Sequence, residues 1–234
     1  MRIVLPALLA LLPLAAPATA GTRNFGIESF EKIRVDGPFK VTLTTGVAPF
    51  ARATGSAAAI DRVSVEMRGN ILIVRNSLTS WGGYPGRDSG PVEITLGTHD
   101  LTAAWINGSG SLAITKVKGL AFDFSVQGSA VGDIGHVAVD QLTVTVAGTA
   151  NARLAGNAGK ATALVRGLSN LDAAKLHAKD ATITVDGAGT VDADVSNSVT
   201  INAVGPATIR LTGTPACTMK ASGSASVSGC SAPQ

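Results

Sequence analysis

The chain has 234 residues, 45% of them hydrophobic, 15% charged and 4% aromatic, with 27 glycines. That balance excludes a disordered chain, and a net charge of +3 is too small to mark a nucleic-acid binder. Two cysteines exclude both a disulfide-dense mini-domain and a multi-cysteine zinc module.

Met1-Arg2 opens the chain with a positive charge. Ile3 to Ala16 is an apolar run broken by Pro6 and Pro13, and Ala18-Thr19-Ala20 has the small-x-small pattern of a cleavage site. Residues 1–20 are therefore expected to be a secretory signal peptide, cleaved before Gly21. The run falls short of the roughly 20 apolar residues that a membrane-spanning helix needs. No cysteine follows the site, so no lipid anchor is expected. Cleavage removes Arg2 and takes the net charge from +3 to +2. The mature chain, 21–234, is expected in the periplasm, on the cell surface or outside the cell, as a single domain that does not span the membrane.

The next stretch, 21–100, alternates less regularly. Ile33, Val35, Gly37, Phe39, Val41 and Leu43 are apolar at every second position about a glycine. Val63, Val65, Met67, Gly69, Ile71 and Ile73 show the same parity. Between Arg75 and Val92 the residues are rich in Gly, Ser, Pro and Asp, which predicts a protruding loop. This part is expected to form irregular coils that cap one end of the domain.

From residue 101 onward the chain repeats. Glycines recur at 108, 128, 148, 167, 187, 205 and 223, in steps of 20, 20, 19, 20, 18 and 18 residues. Two before each glycine stand Ile106, Val126, Val146, Val165, Val185, Ala203 and Ala221, and four before stand Ala104, Phe124, Val144, Ala163, Ile183, Ile201 and Met219. The positions between are mostly polar, with Thr143, Thr162, Thr182, Thr200 and Thr218 all five before. The same parity continues after the glycine, with Leu112, Ala152, Leu171, Val191, Ile209 and Val227 four beyond it. Alternation held in phase over six repeats predicts strands with one buried face. Such a unit is too short for paired helices. It predicts an all-β, right-handed parallel β-helix with coils of about 18–20 residues, stacked at the ~4.8 Å spacing of strands. The glycine marks a corner, and the variation in coil length is expected on a third side, as in Thr115–Ala121 against Ala155–Lys160.

The stretches Phe30 to Val41, Asn70-Ile71-Leu72-Ile73 and the Asn107-Gly108-Ser109-Gly110 type of corner resemble the auto-transporter adhesin, head GIN domain family of secreted bacterial proteins. The resemblance covers most of residues 25–230. It implies a right-handed parallel β-helix at the envelope or outside the cell, and brings no catalytic residues with it.

Several residues could carry chemistry. Five beyond the corner glycines stand Ala113, Asp133, Arg153, Asp172, Asp192 and Arg210. Stacking would bring Asp172 and Asp192 to about 4.8 Å, near the roughly 5–5.5 Å used by retaining glycosidases. They form either a carboxylate pair, for catalysis or calcium, or an exposed charge ladder flanked by Arg153 and Arg210. His99, His136 and His177 fall at different phases of the repeat, so no metal site and no cofactor are expected. Thr143-Val144-Thr145 and Thr182-Ile183-Thr184 resemble the ladders of ice-binding β-helices, although outward threonines also simply suit a strand. Trp81, Tyr84 and Trp105 are the best contact residues for a glycan or a protein. Trp105 occupies an outward position; the alternative is that the Trp81–Tyr84 loop folds over it. Cys217 and Cys230, 13 residues apart in an exported chain, are expected to pair and to tie down the last coil.

The function expected is that of a non-enzymatic surface, adhesion or envelope-interaction module. A carbohydrate-active lyase or hydrolase built on stacked carboxylates is the alternative.

Overall fold

The structure, a computed structural model, describes residues 21–77 and 90–231. In chain order the elements are β1 (Gly21–Phe25), β2 (Lys32–Asp36), β3 (Lys40–Thr45), β4 (Phe50–Gly55), the one-turn helix α1 (Ala57–Ile60), β5 (Val63–Arg68), β6 (Ile71–Asn76), β7 (Glu93–Thr98), β8 (Ala103–Gly108) and β9 (Ser111–Ile114). They continue with β10 (Val117–Gly128), β11 (Val131–Gly148), β12 (Asn151–Gly167), β13 (Asn170–Gly187), β14 (Thr190–Val204), β15 (Thr208–Thr212), β16 (Ala216–Ser222) and β17 (Ser226–Ser228).

From β8 onward the chain winds as a parallel β-solenoid, of about six turns in all, as the repeat predicts. Each of the strands β11 to β14 bends around corners and contributes to three sides. In β11, residues 131–134 pair with β9 and β12 on one face, here face B. Residues 137–139 form a short third side, and 141–148 pair with β10 and β12 on face A. The register breaks all fall on the third side, at Ile134/Val137, Arg153/Ala155, Ala173/His177 and Ala178/Asp180. That side absorbs the unequal coil lengths while faces A and B stay in phase.

The apolar columns are buried as the alternation requires: Val146, Val165 and Val185 are all 0% exposed, and Thr143, Thr162 and Thr182 point outward beside them. The corner column has to be glycine for two reasons. Its φ values are positive, from +80° to +119° between Gly108 and Gly205, a region that costs other residues free energy. A Cβ on Gly128, Gly148, Gly167 or Gly187 would also come within 2.5–2.7 Å of the carbonyl oxygen of the glycine one coil earlier. Gly132 interrupts the apolar column four beyond the corner. The Phe124 ring fills the space, 2.5 Å from where a Cβ on Gly132 would stand.

The N-terminal region departs from the winding order. On face A, β2 lies between β6 and β8, and on face B, β3 lies between β7 and β9. The coil formed first in the sequence is thus second in space, and the coil of β6 and β7 sits outside it. Beyond that outer coil the strands turn antiparallel: β5 covers β6, β4 covers β7 and β1 covers β4. Gly69 is therefore the turn of an antiparallel hairpin and not a corner. This corrects the parity read across it: Leu72 and Val74 point inward at 0% exposure, while Ile71 and Ile73 lie on the outer surface, half-buried.

Candidate functional site

Trp105 lies in the middle of β8, between inward Ala104 and Ile106, so its indole is on the outer surface of face A. Its neighbours across the sheet are Arg34 of β2 and Ser125 of β10. The indole separates two surface grooves. One, of about 600 Å³, is lined by Lys32, Lys118, Leu120, Asp123, Gln141 and Thr143 among others. The other, of about 490 Å³, is lined by Arg34, Ile71, Ile73, Asn107 and Gln127. Both volumes fall in the range of small-ligand clefts.

The polar groups of the two grooves differ in how they are engaged. Arg34 is held by Asp36 at 2.8 Å, and Asp36 also accepts a hydrogen bond from Asn107 Nδ2 at 2.7 Å. Gln127 Nε2 donates to Ser125 Oγ at 3.0 Å, and Ser125 is only 5% exposed although it faces outward. By contrast, Lys32, Lys118 and Asp123 have no ion-pair partner among the described residues. Partial burial beside the indole pushes the Asp123 carboxyl above its ordinary range. The larger groove thus offers an aromatic face, an unpaired carboxyl and two unpaired ammonium groups. Leu120, 78% exposed, stands at its edge.

The carboxylate column of face B carries a different arrangement. Asp172 and Asp192 are adjacent in the β13–β14 register. Arg153 reaches Asp133 at 3.6 Å and Asp172 at 3.4 Å, and Arg210 grips Asp192 through two nitrogens at 2.6 and 2.9 Å. Each carboxylate therefore has a guanidinium, and the column is the exposed charge ladder. On the third side His177 Nδ1 lies 2.9 Å from Asp194 Oδ2, and Thr212 Oγ1 donates to the other oxygen of Asp194 at 3.1 Å. No group of three potential metal ligands occurs among the described residues. The five threonines from Thr143 to Thr218 do form one unbroken outward column. The next outward column is mixed, running Ser125, Thr145, Leu164, Thr184, Asn202 and Lys220.

Residues 29–215 match the family described as "Putative auto-transporter adhesin, head GIN domain". The chain belongs to this family. No curated protein matches it. Among solved structures, this head GIN domain is similar to a putative adhesin from Bacteroides fragilis, with a TM-score of 0.78 and 19% identity over 89% of this chain and 96% of that one. It is also similar to a protein named as a putative lipid binding protein from Parabacteroides distasonis, with a TM-score of 0.70 and 20% identity over 90% and 96% of the two chains. A putative adhesin from Parabacteroides merdae gives 0.69 and 18% identity over 90% and 96%. At these identities the likeness is one of fold.

The head GIN domain closes its C-terminal end with the expected bond: Cys217 of β16 is joined to Cys230, with Cα atoms 5.7 Å apart. Ser231 then donates to the Pro215 carbonyl through both its backbone N–H, at 3.0 Å, and its hydroxyl, at 2.9 Å. Of the aromatic contact residues, Trp105 is placed outward as its parity predicts. Trp81 and Tyr84 lie outside the described residues, as do residues 1–20. The sequence reading missed Lys32, Lys118, Asp123 and Gln141. One signal was available: the column that is threonine from Thr143 to Thr218 reads Ala103 and Asp123 in the two coils before it.

Proposed function

We propose that the chain is exported by its N-terminal leader and acts as a non-enzymatic surface or envelope-interaction module, and that it contacts its ligand through face A around Trp105. The observation that carries this reading is the indole itself, set outward in the middle of a strand, at the meeting of two grooves. The ring shares its larger groove with Lys32, Lys118 and Asp123, so an apolar face and polar groups without ion-pair partners among the described residues converge there. The leader pattern and the Cys217–Cys230 bond support export, because such bonds persist in oxidising compartments. The arginine held by each carboxylate of face B counts against a catalytic carboxylate pair there.

The test has two parts. Sequencing the N-terminus of protein recovered from periplasmic, surface and medium fractions should find Gly21 first. Purified 21–234 should be retained by isolated cell envelopes, and Trp105→Ala should lower that retention about tenfold with the melting temperature unchanged. Equal retention of the two proteins would refute the role of face A.

A further inference from the structure

We infer that the larger groove beside Trp105 is a subsite for an acidic carbohydrate, a sugar residue bearing a carboxylate such as a uronate. The inference rests on the proposed role of face A and adds the class of ligand.

Three observations point to it together. The first is the aromatic platform. The flat apolar face of a pyranose ring packs on an indole, and Trp105 presents its ring at the edge of an open groove of about 600 Å³. The second is the set of hydrogen-bonding groups on the same groove: the Asp123 carboxyl, the Gln141 amide and the Thr143 hydroxyl. Sugar hydroxyls both donate and accept, so a carboxyl beside an amide and a hydroxyl suits them. Asp123 has lost part of its hydration without gaining a protein partner, and burial raises its pKa accordingly. A ligand hydroxyl that donates to it would replace the lost water. The third is charge. Lys32 and Lys118 line this groove and have no ion-pair partner among the described residues, whereas Arg34 on the same face is held by Asp36. Two ammonium groups against one carboxyl leave the groove net positive, which favours an anionic ligand.

An acyl chain fits the molecule less well. Among the described residues, a pocket within the solenoid lined by Leu142, Val144, Ala163, Leu176, Ala181 and Ile183 among others has a volume of about 30 Å³. That is about the volume of one water molecule. The grooves of face A are open and partly polar, so a lipid tail in them would remain wet.

The experiment uses the mature chain 21–234, with binding read by tryptophan fluorescence and calorimetry. The probes are hexamers of galacturonate, of mannuronate and of guluronate, the methyl ester of each, and vesicles of phosphatidylglycerol. At least one free-acid hexamer should bind about tenfold more tightly than its methyl ester, with affinity falling as salt is raised. Trp105→Ala should lower binding of acid and ester alike by about tenfold, with partial recovery in Trp105→Phe. The double variant Lys32→Gln/Lys118→Gln should remove the preference for the acid and leave ester binding within about twofold. All these side chains face outward, and a melting curve matching the parent's checks that each variant is folded. No measurable binding of any hexamer at millimolar concentration would overturn the inference. So would equal binding of acid and ester, or binding of the vesicles alone through Trp105. If these failures occur while Trp105→Ala still weakens retention on cell envelopes, only the sugar class falls. Should envelope retention also be indifferent to Trp105, the role of face A falls with it.

Discussion

At the N-terminal end of the solenoid, β6 and β7 are covered by antiparallel strands, β5 on face A and β4 followed by β1 on face B. At the C-terminal end, β16 and β17 each pair on one side only among the described residues, with β14 and β15. The contrast extends to the core. Inward residues next to the N-terminal cap are fully buried, as in Leu72 and Ile94, whereas inward Met219 in the last coil is 51% exposed. A parallel coil left open offers unpaired backbone groups to other chains and tends to fray. The N-terminal end moves that edge outward, from the core-lining coil of β6 and β7 onto the antiparallel strands β5 and β1. The C-terminal end keeps its direction, places small and polar residues such as Ser222, Ser224, Ser226 and Ser228 there, and closes the coil with a covalent bond.

The sharpest way to break this comparison is to place the same charge in the interior and at the open end. Val165 is 0% exposed, with coils on both sides of it. Val165→Asp should cost more than about 4 kcal/mol and abolish cooperative unfolding, because an unpaired carboxylate would enter a dry core. Val227, half-buried in the last coil and paired only with Ile209, should tolerate aspartate at about 1 kcal/mol. Denaturant titration of both variants gives the two numbers. Similar losses would mean that the last coil is as integral as the middle ones.

The next effect separates the two ends directly. Replacing Cys217 and Cys230 by serine removes a cross-link spanning 13 residues, which contributes about 3 kcal/mol in the chain-entropy model. The loss should be local. Hydrogen exchange should accelerate across β16 and β17 and stay unchanged across β11 to β13 and β5 to β7. A uniform acceleration along the chain would show that the bond supports the whole solenoid.

These contrasts also mark what the sequence could reveal. Columns such as Val146–Val165–Val185 were legible because a parallel coil returns each residue to the same place on its neighbour, so tertiary contacts appear as a period. The order β6–β2–β8 was not legible. Alternation tells which side of a strand is buried and says nothing about which strand lies beside it. For the same reason the parity shared by Ile71 and Ile73 does not tell which side of β6 is buried: the strand carries apolar residues on both sides, and parity alone cannot choose between them. The outward position of Trp105 was readable from its column. The groove beside it was not, because Lys32 reaches that groove through the displaced coil of β2, more than 70 residues before Trp105 in the chain.

Glycines at the two kinds of turn allow a finer comparison. Gly148 combines a φ of +96° with a carbonyl oxygen 2.5 Å from the place of a Cβ. Gly148→Ala should cost about 2 kcal/mol, since strain and a backbone clash add together. Gly69, in the β5–β6 hairpin, has a φ of +59° and open space around it. Gly69→Ala should cost about 1 kcal/mol, the backbone contribution alone. The difference, measured as a shift in the thermal midpoint, isolates the cost of coil stacking. Equal losses would show that the corner stack gives way to accommodate a methyl group.

The smallest effect concerns Asp123, in β10, the strand that joins β8 to the uniform coils beyond it. Burial raises its folded pKa above the ordinary aspartate value, with no ionic partner among the described residues to oppose the shift. A carboxyl whose folded pKa is raised contributes stability that is fully present below the unfolded value. That stability is lost as pH rises through the folded pKa. Asparagine mimics the neutral form at every pH. Asp123→Asn should therefore match the parent at acidic pH and exceed it near neutrality, by no more than about 0.5 kcal/mol because the side chain is partly exposed and screened by solvent. Melting curves at intervals from pH 3 to pH 7 read the difference. A variant less stable than the parent at neutral pH would mean that the ionised carboxylate is held by a cation, from Lys32 or Lys118. In that case the groove would already have neutralised one of the charges that an acidic ligand needs.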